Sequence, residues 1–112
     1  MSDCIFCRIV GGEIPSKKVF EDDRIVAFED ISPKAPTHVL VVPRAHIARL
    51  SEASPAEEAL LGAIVARAAA IARERGLSDF RLVVNDGEGA GQSVFHLHFH
   101  LLGGRAMGWP PG

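Results

Sequence analysis

The feature that most limits the fold of this chain is a single long amphipathic segment among short β-branched runs. The segment opens with Ser54-Pro55-Ala56-Glu57, which matches a capping box with proline at the first helical position, and Gly76 supplies a stop. Apolar residues recur at three-and-four spacing from Leu60 to Ala72, and the charged residues lie largely elsewhere. We therefore predict one helix of about six turns that covers one face of a sheet.

Five short runs are predicted to form that sheet. Lys18 to Phe20 and Ile25 to Phe28 flank a polar cluster suited to a tight reversal, which predicts a hairpin. Thr37 to Val42 is a β-branched run that we expect to be buried on both faces, and Phe80 to Asn85 and Val94 to Leu102 complete the set. Because 112 residues allow one domain, we expect an α+β fold with a mainly antiparallel sheet of about five strands.

The charge balance and apolar runs exclude several classes of partner. Twelve Lys and Arg against fourteen Asp and Glu leave a net charge of −2, too weak a field to attract duplex DNA or an acidic membrane surface. The longest apolar run, 59–72, would be about 21 Å long as a helix, and Arg67 interrupts it. Residues 1–4 lack the features of an export signal. We expect a cytoplasmic protein with no nucleic-acid or membrane partner.

Three of the five histidines occupy alternate positions, at His96, His98 and His100. Successive side chains of a strand alternate between its faces, so the three rings should project from one face at intervals of about 6.6 Å. Leu97 and Phe99 should face the other way. The alternative is an exposed strand face that carries histidines by chance, and three in register argue against it. Such a row suits metal ligation or phosphate chemistry.

The loop before these histidines favours phosphate chemistry. Residues 86–93 have glycine at every second position, so backbone amides can approach an anion closely, and Gln92 and Ser93 add side-chain donors. The loop lacks the Gly-Lys-Ser/Thr ending of a P-loop, and a strand is predicted after it rather than a helix. With His100, these donors would neutralise the phosphate oxygens, so we expect no requirement for magnesium.

The segment Gly91 to Arg105 resembles the histidine triad (HIT) signature, His-x-His-x-His followed by apolar residues. Residues 107–112 are similar to the tail of the Hint branch, the histidine triad nucleotide-binding proteins, and the resemblance extends over nearly the whole chain. It implies one HIT-like domain over residues 1–112, with an N-terminal segment at 1–17 and a C-terminal tail at 103–112. It also implies a homodimer in which strands join across a two-fold axis and the tail approaches the partner's site.

The resemblance further implies a purine nucleoside phosphoramidase that acts on AMP-amine and aminoacyl adenylate substrates. The family's middle histidine attacks the α-phosphorus, so His98 is expected to form a covalent nucleotidyl-histidine. An imidazole with an unperturbed pKa of about 6.5 is nucleophilic at neutral pH, and a neighbouring carbonyl can hold the opposite ring proton. A leaving amine needs a proton, which Ser93, His100 or His38 can supply or relay; the sequence does not rank them.

The nucleoside contacts are also implied by the resemblance. Asp30 is similar to the family's ribose-binding acid, and Asn85 would contact ribose or phosphate. Four apolar residues would contact the purine base, although each is equally credible as core: Phe6, Ile14, Phe28 and Ile31. The phosphate would be bound by Gly91, Gln92, Ser93, His98 and His100. No organic cofactor is implied.

The motif Cys4-Ile5-Phe6-Cys7 is half of a zinc site and needs two further ligands. Bacterial members of the family with this motif bind zinc with a pair of histidines, which implies His46 and His96 here. We therefore expect a structural Cys₂His₂ zinc, the alternative being two thiols without metal near the N-terminus. Zinc would remove His96 from proton transfer.

Three other functions stay open at this point. The dinucleoside polyphosphate hydrolase branch of the superfamily would use the same nucleophile, although the tail favours the Hint branch. A nucleotide-binding regulator would need the pocket but no nucleophile. A zinc carrier would use the same thiols and histidines with exchangeable metal.

Overall fold

A computed structural model describes residues 3–112. Its helices and strands follow in the order α1 (Ile5–Val10), β1 (Lys18–Glu21), β2 (Ile25–Glu29), β3 (Thr37–Pro43), α2 (Glu58–Glu74), β4 (Phe80–Val84) and β5 (Phe99–Gly103). All five strands pair antiparallel in one sheet, in the order β1-β2-β3-β5-β4. The predicted α+β fold, with five antiparallel strands and one long helix, is confirmed.

The turn between β1 and β2 and the start of α2 are held by hydrogen bonds where the sequence predicts a reversal and a helix start. Asp22 Oδ1 accepts hydrogen bonds from the amides of Arg24 and Ile25 at 2.8 and 2.7 Å, which closes the β1–β2 hairpin. The Ser54 amide donates to Glu57 Oε1 at 2.7 Å, and a 3₁₀ turn leads from there into α2. No helix in the described range 3–112 is long and apolar enough to cross a membrane.

The sheet separates two hydrophobic cores. The first lies between the sheet and α2 and includes Ile64, Ala68 and Ile71 of the helix with Val39, Val41, Leu97, Phe99 and Leu101. The second lies on the opposite face under α1 and consists of Phe6, Ile9, Val26, Phe28, Leu40 and Val42. Every residue of β3 is buried, as expected for a strand covered on both faces. The candidate site lies on the α1 side of this sheet.

Three elements differ from the sequence prediction. Helix α2 has 17 residues, about five turns instead of the six predicted, because its first turn is the separate 3₁₀ turn at Pro55–Glu57. The N-terminal segment contains a helix, α1, which was not predicted, and Cys4 caps it by accepting a hydrogen bond from the Cys7 amide at 3.3 Å. The last strand begins at Phe99 rather than at Val94. The Leu97 amide donates to the carbonyl of Ile47 in the loop after β3, at 2.6 Å, so this stretch is held by a loop instead of by a neighbouring strand. The alternation survives, because Leu97 still belongs to the first core.

Candidate functional site

The five histidines form two neighbouring groups with a single ring between them. One group contains two thiols and two imidazoles: Cys4, Cys7, His46 and His96. The other contains a carboxylate and two imidazoles: Asp30, His38 and His100. The ring of His98 lies between them, 4.9 Å from the ring of His100 and 5.0 Å from that of Phe6. The structure therefore places His96, His98 and His100 side by side with three different sets of neighbours.

The proton of His98 is held on Nδ1. This nitrogen lies 2.8 Å from the carbonyl oxygen of His96, and because a carbonyl can only accept, Nδ1 must donate. In the neutral ring the lone pair is therefore on Nε2. Burial lowers the pKa of His98, so the ring is neutral near pH 7. The ring thus has its lone pair on the nitrogen opposite the hydrogen-bonded one, as a nucleophile or a base requires.

The proton positions of His38 and His100 follow from a backbone amide. The Lys34 amide donates to His38 Nδ1 at 3.0 Å, so the neutral His38 ring carries its proton on Nε2. That nitrogen lies 2.9 Å from Nδ1 of His100, which must accept, and the proton of His100 is then on Nε2. Burial, and then repulsion by His98 and His38, lowers the pKa of His100 to about 4. At pH 7 His100 is therefore a neutral hydrogen-bond donor through Nε2.

Asp30 joins this group to an open cleft. Its Oδ2 lies 3.5 Å from His38 Nε2, and its Oδ1 accepts from the Ser32 amide at 2.7 Å. The same residue lines a cleft of about 700 Å³ together with Pro15, Ser16, Lys17, Glu29, Ile31 and Pro33. A cleft of that size accommodates a small organic ligand. The carboxylate therefore lies where a ligand in the cleft would meet the histidines.

Only one of the four apolar residues predicted to contact a base lines this cleft. Ile31 lies at its wall with a fully exposed side chain. Phe6 and Phe28 are buried in the second core, where their rings meet edge to face at 5.5 Å, and Ile14 packs against that core. Asn85 follows the end of β4 and lies beside Gly91, with its Nδ2 3.9 Å from where a Cβ at Gly91 would be.

The glycine-rich loop is held together from inside by Gln92. Its side chain is buried, Oε1 accepts from the Gly87 amide at 2.8 Å, and Nε2 donates to the carbonyls of Ala48 and Val94 at 2.8 and 3.0 Å. Both amide hydrogens are thus used within the protein, and the side chain fixes the loop. The expected phosphate contact of Gln92 stays a prediction, and its side chain would have to give up one of these bonds to make it. The exposed Ser93 follows it directly.

The sequence prediction missed the ion pair that holds the start of this loop. Arg49 Nε donates to Asp86 Oδ1 at 2.6 Å, and the Ser51 amide donates to Oδ2 at 3.1 Å. The Arg49 guanidinium, followed by Ser51, holds the pKa of Asp86 below its usual value. Gly87 has a φ of +97°, a backbone conformation that favours glycine, and a Cβ there would also displace the Arg49 guanidinium, 2.7 Å away. The partners are 37 positions apart, and no local pattern connects them.

The bonds of Gln92 lead to a stability prediction. Gln92→Ala should lower the free energy of unfolding by about 2 to 3 kcal/mol, because it leaves a buried amide and two carbonyls without their partner. Urea denaturation would measure the change, with Glu88→Ala, at an exposed position of the same loop, as the matched control. Equal unfolding midpoints for the two variants would contradict the role of Gln92.

The thiol group fits a tetrahedral metal ion. Nδ1 of His96 lies 3.4 Å from the Sγ atoms of both Cys4 and Cys7, and Nδ1 of His46 lies 3.3 Å from Cys7 Sγ. Tetrahedral zinc with thiolate and imidazole ligands keeps its ligand atoms about 3.5 Å apart. His96 Nε2 donates to the Pro43 carbonyl at 2.8 Å, which leaves the lone pair on Nδ1, toward the thiols. The predicted ligand set is therefore brought together with the right ring nitrogen.

The second group does not fit a metal in the same way. Its ligand atoms also lie within 4.8 Å of one another. However, the Lys34 amide occupies Nδ1 of His38, so Nε2 of that ring keeps its proton and has no lone pair to give a cation. We interpret Asp30, His38 and His100 as a hydrogen-bonding site for a ligand, and the thiol group alone as a metal site among the described residues.

Comparison with known proteins agrees with this geometry. Residues 11–107 match the HIT domain model. A crystal structure of a HIT family hydrolase from Legionella pneumophila Philadelphia 1 is similar with a TM-score of 0.96 and 51% identity, covering 98% of this chain and 100% of that chain. An uncharacterized HIT-like protein of Synechocystis is 50% identical over 111 residues, covering 98% of this chain and 97% of the relative. A 14 kDa zinc-binding protein of Zea mays is 46% identical over 114 residues, covering 99% of this chain and 89% of the relative. The chain therefore belongs to the HIT domain family.

Proposed function

We propose that this protein hydrolyses purine nucleoside 5′-phosphoramidates and aminoacyl adenylates, as a Hint-branch enzyme, and releases the nucleoside monophosphate. The orientation of His98 carries the proposal: its Nδ1 is bound to a carbonyl, and its neutral ring keeps the Nε2 lone pair for attack. A ligand-binding role alone would not require that orientation. The Legionella relative is named a hydrolase, which agrees with this chemistry.

In the first step, Nε2 of His98 attacks the α-phosphorus and forms a P–N bond while the bond to the leaving group breaks. The leaving group departs with the electron pair of that bond. The attacking ring becomes an imidazolium, which the bond from Nδ1 to the His96 carbonyl stabilises. The Nε2 hydrogen of His100 and the Ser93 hydroxyl would donate to the charged phosphoryl oxygens.

The contacts of His38 and Ser93 support a choice among the residues that could protonate a leaving amine. His38 donates its Nε2 hydrogen to His100, and the Lys34 amide prevents a second proton on Nδ1 of His38. The pair His38 and His100 can therefore donate hydrogen bonds, but a proton that it gave away would not be replaced. The exposed Ser93 hydroxyl can accept a proton from water while it donates its own. We assign the relay to Ser93. An aminoacyl carboxylate leaves without needing a proton.

In the second step, water attacks the phosphorus of nucleotidyl-His98. The P–N bond to His98 breaks, the electron pair returns to Nε2, and the nucleoside monophosphate is released with the remaining proton passed to solvent. Asp30 would accept hydrogen bonds from both ribose hydroxyls, and the base would lie in the cleft beside Ile31. Neither step requires magnesium, because the protein's own donors meet the phosphoryl charge.

We also propose a structural zinc bound by Cys4, Cys7, His46 and His96. The Zea mays relative, 46% identical, is named a zinc-binding protein, and the interatomic distances here suit that ion. Bound zinc would supply a cross-link between α1, the segment after β3 and the histidine row, without acting on the substrate. A reducing cytoplasmic location would keep the two thiols available as ligands.

The assembly we propose is a homodimer joined at β4. This strand forms one edge of the sheet, so its outer backbone groups can pair with a second copy. The C-terminal tail runs beside the same edge, because Arg81 Nη2 on β4 donates to the Gly108 carbonyl at 2.8 Å. The Trp109 side chain is 84% exposed and so can contact a partner's site.

Intact-protein mass spectrometry tests the proposed function. We expect rapid quenching with an adenosine phosphoramidate to show one added nucleotidyl group, on a peptide that contains His98. Tight AMP binding with no adduct and no turnover would refute the proposal in favour of a nucleotide-binding regulator. An adduct formed only from a dinucleoside polyphosphate would assign the chain to the other hydrolase branch.

A further inference from the structure

We propose that α1 is a metal-dependent positioning element for His98, so that occupancy of the thiol group regulates the reactivity of the nucleophile. This inference rests on the proposed function, and Phe6 is the positioning residue that it names. Two independent contacts link the thiol group to the His98 ring, one through the Phe6 side chain and one through the His96 backbone.

The first contact is made by a residue between the two cysteines. The Phe6 side chain is buried, and its ring meets the His98 ring nearly at right angles, with centroids 5.0 Å apart and an interplanar angle of 86°. It also approaches the rings of His96 and Phe28 at 6.1 and 5.5 Å. Edge-to-face contacts of this kind favour one ring orientation over others. Any movement of α1 therefore changes what the His98 ring packs against.

The second contact is made by a single residue that serves both groups. The side chain of His96 faces the two thiols through Nδ1, and its carbonyl oxygen accepts the proton of His98 Nδ1 at 2.8 Å. The His96 ring is fully buried and held by the Pro43 carbonyl. A metal bound at the ring would thus fix the carbonyl that decides which nitrogen of His98 is protonated.

The dependence on metal follows from the small size of α1. The helix has six residues, and a helix this short is not stable without outside contacts. Two of its residues, Phe6 and Ile9, are buried in the second core. A metal shared with His46 and His96 would add bonds from both ends of the Cys4–Cys7 turn to the rest of the protein. The exposed His46 places one side of this group at the surface, where a chelator can reach it.

The cleft beside Asp30 has hydrogen bonds of its own that do not involve α1. The Glu29 amide donates to the Lys17 carbonyl at 3.0 Å, which attaches this wall of the cleft to β2, and Asp30 is held by the Ser32 amide. Loss of metal should therefore reduce the rate of nucleotidyl transfer to His98 and leave AMP affinity nearly unchanged. A purely structural role of the metal would lower both together through loss of folded protein.

The test compares wild type, Phe6→Leu and Ile5→Ala, each loaded with zinc and after removal of zinc by a chelator. Leucine keeps an apolar side chain in the core at position 6 but removes the aromatic ring. Ile5 is an exposed residue of the same helix and serves as the matched control. The readouts are the metal content, the single-turnover rate of adduct formation, AMP affinity, and the ¹⁵N NMR signature of the His98 tautomer.

Removal of zinc from wild type should slow adduct formation by about 10- to 100-fold, because a small misplacement of a reacting group has an effect of that order. Zinc-loaded Phe6→Leu should form the adduct more slowly by a similar factor while keeping its full metal content. Removal of zinc from this variant should slow adduct formation by less than about a further threefold, since both changes break the same coupling. His98 should give a single Nδ1–H tautomer in loaded wild type and a mixture in the two slowed proteins. Ile5→Ala should behave as wild type.

Two results would overturn the inference: a zinc-free wild type that keeps both its rate and its single tautomer, or a loaded Phe6→Leu that does. If zinc-free protein unfolds by circular dichroism, loaded Phe6→Leu still decides the question. Failure of the proposed function is distinguishable, because loaded wild type would then form no adduct while the NMR readout would still report on the coupling between Phe6 and His98.

Discussion

His98→Gly is expected to lower the turnover of an adenosine phosphoramidate by at least about 10⁴-fold, the order of loss seen when a catalytic nucleophile is removed. AMP affinity should stay within about threefold, because Asp30 and the cleft, which we propose bind the nucleoside, are left intact. Steady-state kinetics and titration calorimetry would measure the two quantities. The variant keeps the backbone carbonyl of His96 and the ring of His100, so the site loses little besides its attacking nitrogen.

Added imidazole provides the control for this variant. Glycine at position 98 leaves space where the ring was, and a small free imidazole can occupy it and attack phosphorus in its place. We expect turnover to rise with imidazole concentration in His98→Gly and to be unaffected in wild type. Turnover by His98→Gly within tenfold of wild type, without imidazole, would show that another group is the nucleophile.

Cys4→Ser is expected to lose the proposed zinc and to lower the thermal unfolding midpoint by about 10 °C or more. The reason is that ligation to a structural zinc contributes directly to folding. A loss of a few kcal/mol in the free energy of unfolding lowers the unfolding midpoint of a domain of this size by that amount. The α2 core does not depend on the thiols, so the variant should still be folded at 25 °C. Elemental analysis and differential scanning calorimetry would measure the two effects.

Asp30→Asn is the matched control for the metal site. It alters the second group, which we interpret as unable to bind a cation, so metal content should stay the same as in wild type. Loss of zinc from Asp30→Asn would refute that interpretation. If added zinc does not raise the unfolding midpoint of the wild-type protein, the structural role is contradicted. If mild chelation removes the zinc readily, a zinc carrier is favoured.

Periodicity in the sequence was sufficient to predict the main architecture. The three-and-four spacing before Gly76 and the alternating or β-branched runs are local properties, and each produced its helix or strand. The short helix α1 was missed, because six residues with a cysteine cap carry no repeated pattern. The beginning of β5 was predicted too early, because the pattern that alternates in a strand also alternates in an extended segment bound to a loop.

The candidate site was predicted in part. The resemblance implied the four ligands of the metal site, and the structure brings those residues together. It also implied His98 as the nucleophile, which stays a prediction. The bonds of Gln92 to the carbonyls of Ala48 and Val94 were not predicted, because a glutamine beside glycines is as suited to binding loop carbonyls as to binding an anion. The pair Arg49 and Asp86 was not predicted, because the two residues are 37 positions apart and no local pattern connects them.

By itself, the sequence determined that three imidazoles would lie next to one another on one side of an antiparallel sheet, because side-chain alternation is a property of the extended backbone. Only the tertiary structure decided what each ring can do. The carbonyls of Pro43 and His96 fix the protons of the His96 and His98 rings. The amide of Lys34 fixes the proton of His38 and, through that ring, the proton of His100. Since donors and acceptors on other segments set the tautomers, folding leaves the lone pair on Nδ1 in His96 and on Nε2 in His98, and the N–H on Nε2 in His100, so three identical side chains differ in what they can bind or donate.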